Sequence, residues 1–105
     1  MELNRSKHMT SKQRSKLISL AMNISATVQI GKNGLTESVV EQISTSLDDH
    51  ELVKIGVLKT ADVSAKGIIA EVAEMLGAQP VQAIGNKIVL YRHSDKEGIE
   101  HIKLD

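Results

Sequence analysis

Gly31-Lys32-Asn33-Gly34 sets two glycines three apart around a lysine and an asparagine. Glycine lets a backbone approach a ligand closely and adopt positive φ. Thr36 follows as a helix N-cap, so the loop opens onto amides and a dipole that favour an anion. Lys32 adds a mobile positive charge. The chemistry this combination serves is the holding of phosphate, and the plain alternative is a strand-to-helix turn.

Nucleotide hydrolysis and dinucleotide binding are not indicated. GxGxxG is absent, and Leu35 follows the second glycine where a Walker loop needs Lys and Ser/Thr. A GxxG loop instead matches the backbone clamp that KH domains use on nucleotides. His50, His93 and His101 form neither HxxxH nor HExxH, so solvated or locally capping histidines are expected and no metal ligand set is assigned. No nucleophile elbow occurs, and Asp48-Asp49 read as a helix end. No catalytic constellation, metal site or cofactor is expected.

Charge is neutral in total but segregated. Lys12, Arg14, Lys16 and Lys32 stand in 9–34 without an acid, while Glu37, Glu41, Asp48, Asp49 and Glu51 stand in 35–52 without Lys or Arg. Such segregation can make a basic face; local fluctuation on solvated helices is the alternative. Lys54, Lys59, Lys87 and Arg92 can extend the cationic surface or simply confer solubility. With Tyr91 the one aromatic residue, base stacking has little to work with, so backbone and shape contacts should dominate any RNA binding.

The elements that must position these groups follow from periodicity. The 105 residues fit one domain with an aliphatic core. The lack of cysteine suits a reducing cytosol, and no apolar run is long enough for a membrane span. Residues 1–8, MELNRSKH, read as an expression-tag remnant ahead of Met9. A helix is predicted over 10–23, with Thr10 and Gln13 at capping-box spacing and Leu17, Ile18, Leu20, Ala21 and Ile24 as its apolar stripe. A strand is predicted at 27–30 and a second helix at 37–47, with Leu35 and Val40 at staple spacing. A strand at 51–58 is apolar enough to be covered on much of both faces. Asp62 or Ser64 caps a third helix ending at Gly77, and Gly85-Asn86 joins two hairpin strands. The charged tail, 93–105, is expected to be loosely held, with Ile99, Ile102 and Leu104 available for an edge segment. The order αβαβαββ predicts an α/β fold with a four-stranded mixed sheet, in two layers.

Three stretches, IGKNGLTESVVEQI, HELVKIGVL and VQAIGNKIVLYR, closely resemble the CRM domain (chloroplast RNA splicing and ribosome maturation), whose stand-alone bacterial form is the YhbY family. The resemblance covers about 10–92, and LISLAMNISATVQIGKNG matches the family's opening helix and strand. It implies a fold similar to the C-terminal domain of translation initiation factor 3, with 9–92 as the RNA-binding domain. It implies a cytoplasmic, non-enzymatic protein that binds ribosomal RNA and assists assembly of the large (50S) subunit, with no DNA or membrane partner, as a monomer. The implied RNA contacts are Gly31, Lys32, Asn33 and Gly34, with Lys54 in HELVK and Arg92 closing LYR; the first-helix cations Lys12, Arg14 and Lys16, read from charge alone, are expected to steer and orient the RNA. Gly56 stands where many members carry a base, and the tail's Asp95, Glu97, Glu100 and Asp105 offset its lysines. An adaptor is the rival: the acidic second helix would dock a basic ribosomal protein or assembly factor.

Overall fold

A computed structural model of the chain describes residues 9–104, so the tag-like segment 1–8 lies outside the described residues. Helix α1, Ser11–Ala21, starts on a complete capping box: the Gln13 amide donates to Thr10 Oγ1, and the Thr10 amide donates to Gln13 Oε1, both at 3.0 Å. Strand β1, Val28–Ile30, leads through the glycine loop into α2, Glu37–His50, whose Val39 amide donates to Thr36 Oγ1. Strand β2, Leu52–Val57, precedes α3, Ala65–Leu76, capped by Ser64 Oγ on the Gly67 amide. Gly77, at φ 60°, closes α3 in a Schellman arrangement, with the Ala78 amide donating to the Ala73 carbonyl at 2.9 Å. Strands β3, Gln79–Ile84, and β4, Lys87–Tyr91, form the hairpin. Gly85 has φ 58°, and Asn86 stays at negative φ, the sign pattern of a type II′ turn.

The sheet order is β1-β2-β4-β3, with β1 parallel to β2 and the other pairs antiparallel. The α/β class and the four-stranded mixed sheet agree with expectation. The two-layer arrangement does not. Val53, Ile55 and Val57 pack with Ile43, Leu47, Ile68 and Val72 on one face of the sheet, under α2 and α3. Leu52, Val81 and Val89 pack with Leu17 and Ala21 of α1 on the other. There are therefore three layers, because Leu52, Val81 and Val89, from three different strands, put apolar side chains on the second face, which needs a cover of its own.

Helix α1 covers only part of its face. Leu20 and Ile24, expected in its apolar stripe, are 39% and 36% exposed; they border a groove with Leu52, Lys54 and Ile102. Arg14 Nη1 ties α1 to β3 by donating to the Pro80 and Val81 carbonyls, each at 2.8 Å, where β3 has a register irregularity.

Two boundaries shift, with one cause. Helix α2 runs past Leu47 to His50, and Glu51, expected to open β2, is its left-handed C-cap at φ 66°. Glu51 is fully buried, and it holds the tail that the sequence suggests is loose. Its Oε2 accepts the Ser94 amide and its Oε1 the Ile102 amide, both at 2.8 Å. Ser94 Oγ donates to the Asp48 carbonyl at 2.6 Å, and Lys96 pairs with Asp49. Ile102 and Leu104 pack beside α1 and Tyr91 without adding a strand.

Candidate nucleic-acid interface

The glycine loop is a closed turn. The Gly34 amide donates to the Gly31 carbonyl at 2.9 Å, and the Thr36 amide donates to the Gly34 carbonyl at 3.1 Å. Gly34 sits at φ 70°, where a side chain is strained. Gly31 is at ordinary φ and a Cβ there would touch Leu58 Cδ1 at 3.4 Å, ordinary van der Waals contact. Lys32 and Asn33 occupy the exposed tip. On one side β1 is pinned to the segment after β2 by the Leu58 amide on the Ile30 carbonyl, at 2.8 Å. On the other, Leu35 and Val40 pack against the core under α2. The tip is thus presented from a fixed frame, beside the start of a 14-residue helix. Glu37 sits in that helix's first turn, so positive charge at the tip has to come from lysines.

Sheet register shows which lysines those are. Gln29, Gly56, Lys87 and Ile84 form one row across all four strands. The Val57 amide donates to the Asn86 carbonyl at 2.8 Å, so the hairpin turn, the β2–α3 loop and the glycine loop share one end of the sheet. Lys32, Lys59 and Lys87 collect there, with exposed Leu58 and Ile84 beside them. Lys87 Nζ donates to Asn86 Oδ1 at 3.1 Å. Lys54 lies two residues along β2 from Gly56, on the face that α1 only partly covers. The Gln29 amide group lies across Gly56: a Cβ at that glycine would stand 2.3 Å from Gln29 Oε1.

Other expected contacts stand elsewhere. Lys12 and Lys16 are exposed on α1, on the opposite sheet face from α2, and Lys16 donates to the Lys103 carbonyl of the tail. Arg14 meets β3 about four residues from its hairpin end, roughly 13 Å at strand rise. Arg92 spends its guanidinium inside the protein. Nη1 donates to the Leu76 carbonyl at 2.8 Å, and Nη2 donates to the Ser44 carbonyl, Ser44 Oγ and Asp48 Oδ1 at 2.9–3.1 Å. Arg92 therefore binds α2 to the end of α3. Arg92→Ala is expected to cost about 2 kcal/mol of stability in chemical denaturation, with RNA affinity of the folded fraction unchanged. Tyr91, the one aromatic residue, packs half-buried beside α1, and its hydroxyl pKa is raised by burial and then by the Glu51 charge. It is no free stacking platform.

A second constellation arises at the far end. His101 Nδ1 lies 2.8 Å and His93 Nδ1 3.4 Å from Glu51 Oε2, and the two imidazoles stack with centroids 5.2 Å apart. Burial alone would raise the Glu51 pKa. The Ser94 amide, His101 and the Ile102 amide outweigh it, and the net shift is downward. Spacing carries no trace of this cluster, because its members stand 42 and 50 residues from Glu51 along the chain.

Comparison with known proteins places this geometry in a family. A Haemophilus influenzae "RNA-binding protein" is 36% identical over 92 residues, which is 88% of this chain and 93% of the relative. The Bacillus subtilis "Probable RNA-binding protein YqeI" is 34% identical over 86 residues, 82% of this chain and 90% of the relative. A solution structure from Staphylococcus aureus, of a protein put forward as RNA-binding, superposes with a TM-score of 0.65 at 38% identity, covering 90% of this chain and all of that one. The profile of the CRS1 / YhbY (CRM) domain matches residues 9–92, and the chain belongs to that family.

Proposed function

We propose that this protein is a non-enzymatic, cytoplasmic RNA-binding module that grips the sugar-phosphate backbone at the glycine-loop end of its sheet. The observation that carries this reading is the gathering of Lys32, Lys59 and Lys87 around a rigid Gly31–Gly34 turn at a helix start. The names of the relatives support it. The RNA is ribosomal, within a precursor of the large (50S) subunit, and the protein acts there as an assembly factor, in line with the family resemblance. Backbone amides of the loop and first turn of α2 take phosphate oxygens, and the lysines supply charge. Loop residues Gly31, Lys32, Asn33 and Gly34 act directly, with Lys54 along the open sheet face. Arg14 and Arg92 contribute by holding the frame.

The acidic-adaptor reading loses ground on one observation. Asp48 pairs with Arg92 at 2.9 Å and Asp49 pairs with Lys96, so two of the four acids of α2 are already matched by cations of this chain. Affinity for single-stranded RNA, read by fluorescence anisotropy across salt concentrations, tests the proposed grip. Three or four phosphate contacts give a log–log slope of about −2 to −3. A flat response removes the backbone-centred reading. Crosslinking in cells, mapped on ribosomal gradient fractions with and without RNase, tests the ribosomal assignment separately.

A further inference from the structure

We propose that Glu51, His93 and His101 form a binding site for a divalent transition metal ion of the zinc class, which latches the C-terminal tail onto the α2–β2 corner. The three side chains each offer one ligand atom, and all three atoms lie within 4.8 Å of one another. Metal–ligand bonds of about 2.0–2.2 Å in a tetrahedron separate ligand atoms by roughly 3.4 Å. The His93 Nδ1 to Glu51 Oε2 distance is 3.4 Å and that of His101 is 2.8 Å, so closure on an ion needs the His101 side to open slightly and the two histidine ligand atoms, within 4.8 Å of each other, to settle at the tetrahedral spacing. Two imidazoles and one carboxylate are a donor set suited to zinc, nickel or copper rather than to magnesium or calcium.

Three further features fit a ligand role. Glu51 is fully buried, and each carboxylate oxygen already takes one tail amide, which fixes the orientation of the group and leaves a lone pair on Oε2 for the ion. His93 Nε2 stands 3.6 Å from Asp95 Oδ1, beyond hydrogen-bond distance but near enough that a small rotation would back the imidazole whose Nδ1 faces the site with a carboxylate. Glu51 itself holds a left-handed backbone at φ 66°, a conformation a non-glycine residue keeps only where its surroundings over-determine it. Both histidines are partly exposed, which gives the ion an entry path and leaves the fourth position to water.

The metal would join residues 51, 93 and 101, closing the chain end against the helix-to-strand corner. This site is separate from the glycine-loop end and does not rest on RNA binding. The test titrates the full-length protein, freed of metal with chelator, with zinc chloride by calorimetry and by thermal unfolding. One zinc per chain is expected, with Tm raised on the order of 10 °C at a hundredfold excess over Kd. Magnesium should leave Tm unchanged. His93→Gln and His101→Gln should each weaken zinc binding by at least roughly tenfold, whereas His8→Gln with His50→Gln should not. Cobalt should give the intense visible absorption of a tetrahedral site in the wild type and lose it in either variant, a signature that tail packing alone cannot produce. Absence of saturable zinc binding overturns the proposal, as does full binding in the folded His93→Gln/His101→Gln double variant.

Discussion

Glu51→Ala should cost about 3 kcal/mol of folding stability and lower Tm by roughly 10–20 °C. The expectation follows from what the carboxylate satisfies. It accepts the Ser94 and Ile102 amides at 2.8 Å each and sits 2.8 Å from His101, all from a fully buried position. Charge-assisted bonds are the stronger class, and removing the acceptor strands a donor: the Ser94 amide is buried, and it would face an apolar methyl. The tail would then leave the corner, uncovering the part of the second core that Ile102 and Leu104 help to seal. Alanine also keeps the unfavourable φ of 66°, so Glu51→Gly should recover part of the loss through its backbone freedom while leaving the tail free. Chemical denaturation gives the stabilities, and amide exchange of 94–104 reports the tail. Stability unchanged in Glu51→Ala would show that the anchor carries no weight.

The same group sets an acid limit. The folded-state pKa of Glu51 lies below the ordinary glutamate value of 4.5. Its contribution is therefore complete above about that pH and is lost as pH falls through the lower folded value. Glu51→Gln removes the titrating carboxylate, so the fall of stability below pH 4.5 should become shallower in that variant.

Reversal of Lys32, Lys59 and Lys87 together to glutamate should lower RNA affinity by about 100-fold at low salt and flatten the salt slope by about 2. Each lysine stands at the glycine-loop end, and none holds a buried contact; Lys87 loses only its bond to Asn86. Tm should stay near the wild-type value, which separates binding from folding. The loop glycines make a poorer probe as a pair, since Gly34 is strained by any side chain whereas Gly31 has room for one. Gly31→Asp alone places negative charge at the tip within an intact turn. The control is Lys12→Glu with Lys16→Glu on α1. If that pair weakens RNA binding as much as the triple variant, the loop end is not the principal grip.

What was legible in the sequence is what local chemistry determines. Thr10 with Gln13, Thr36, Ser64 and Gly77 announce helix ends because their partners lie within a few residues. The glycine loop and the Gly85-Asn86 turn are legible for the same reason. The face on which α1 lies is not local. It depends on Leu52, Val81 and Val89 meeting across three strands, which no single stretch of the chain displays. Glu51 gives no signal at all: glutamate is not a residue type that marks positive φ, and its partners stand more than 40 residues away. Likewise the sequence shows that Arg14 and Arg92 are charged, not that backbone carbonyls of β3, α2 and α3 take up their donors.

The β3 margin has a consequence for the protein at high concentration. It is an outer strand, the kind of border on which a second chain can build a continuous sheet and seed aggregation. Here Pro80 offers no N–H, the pairing register slips between Pro80 and Gln82, and Arg14 occupies the Pro80 and Val81 carbonyls. An incoming strand meets a border without a regular ladder of donors and acceptors. The arginine that fastens the first helix also works as a guard against edge-to-edge polymerisation, and charge-neutral replacements of Arg14 should be watched first for insolubility.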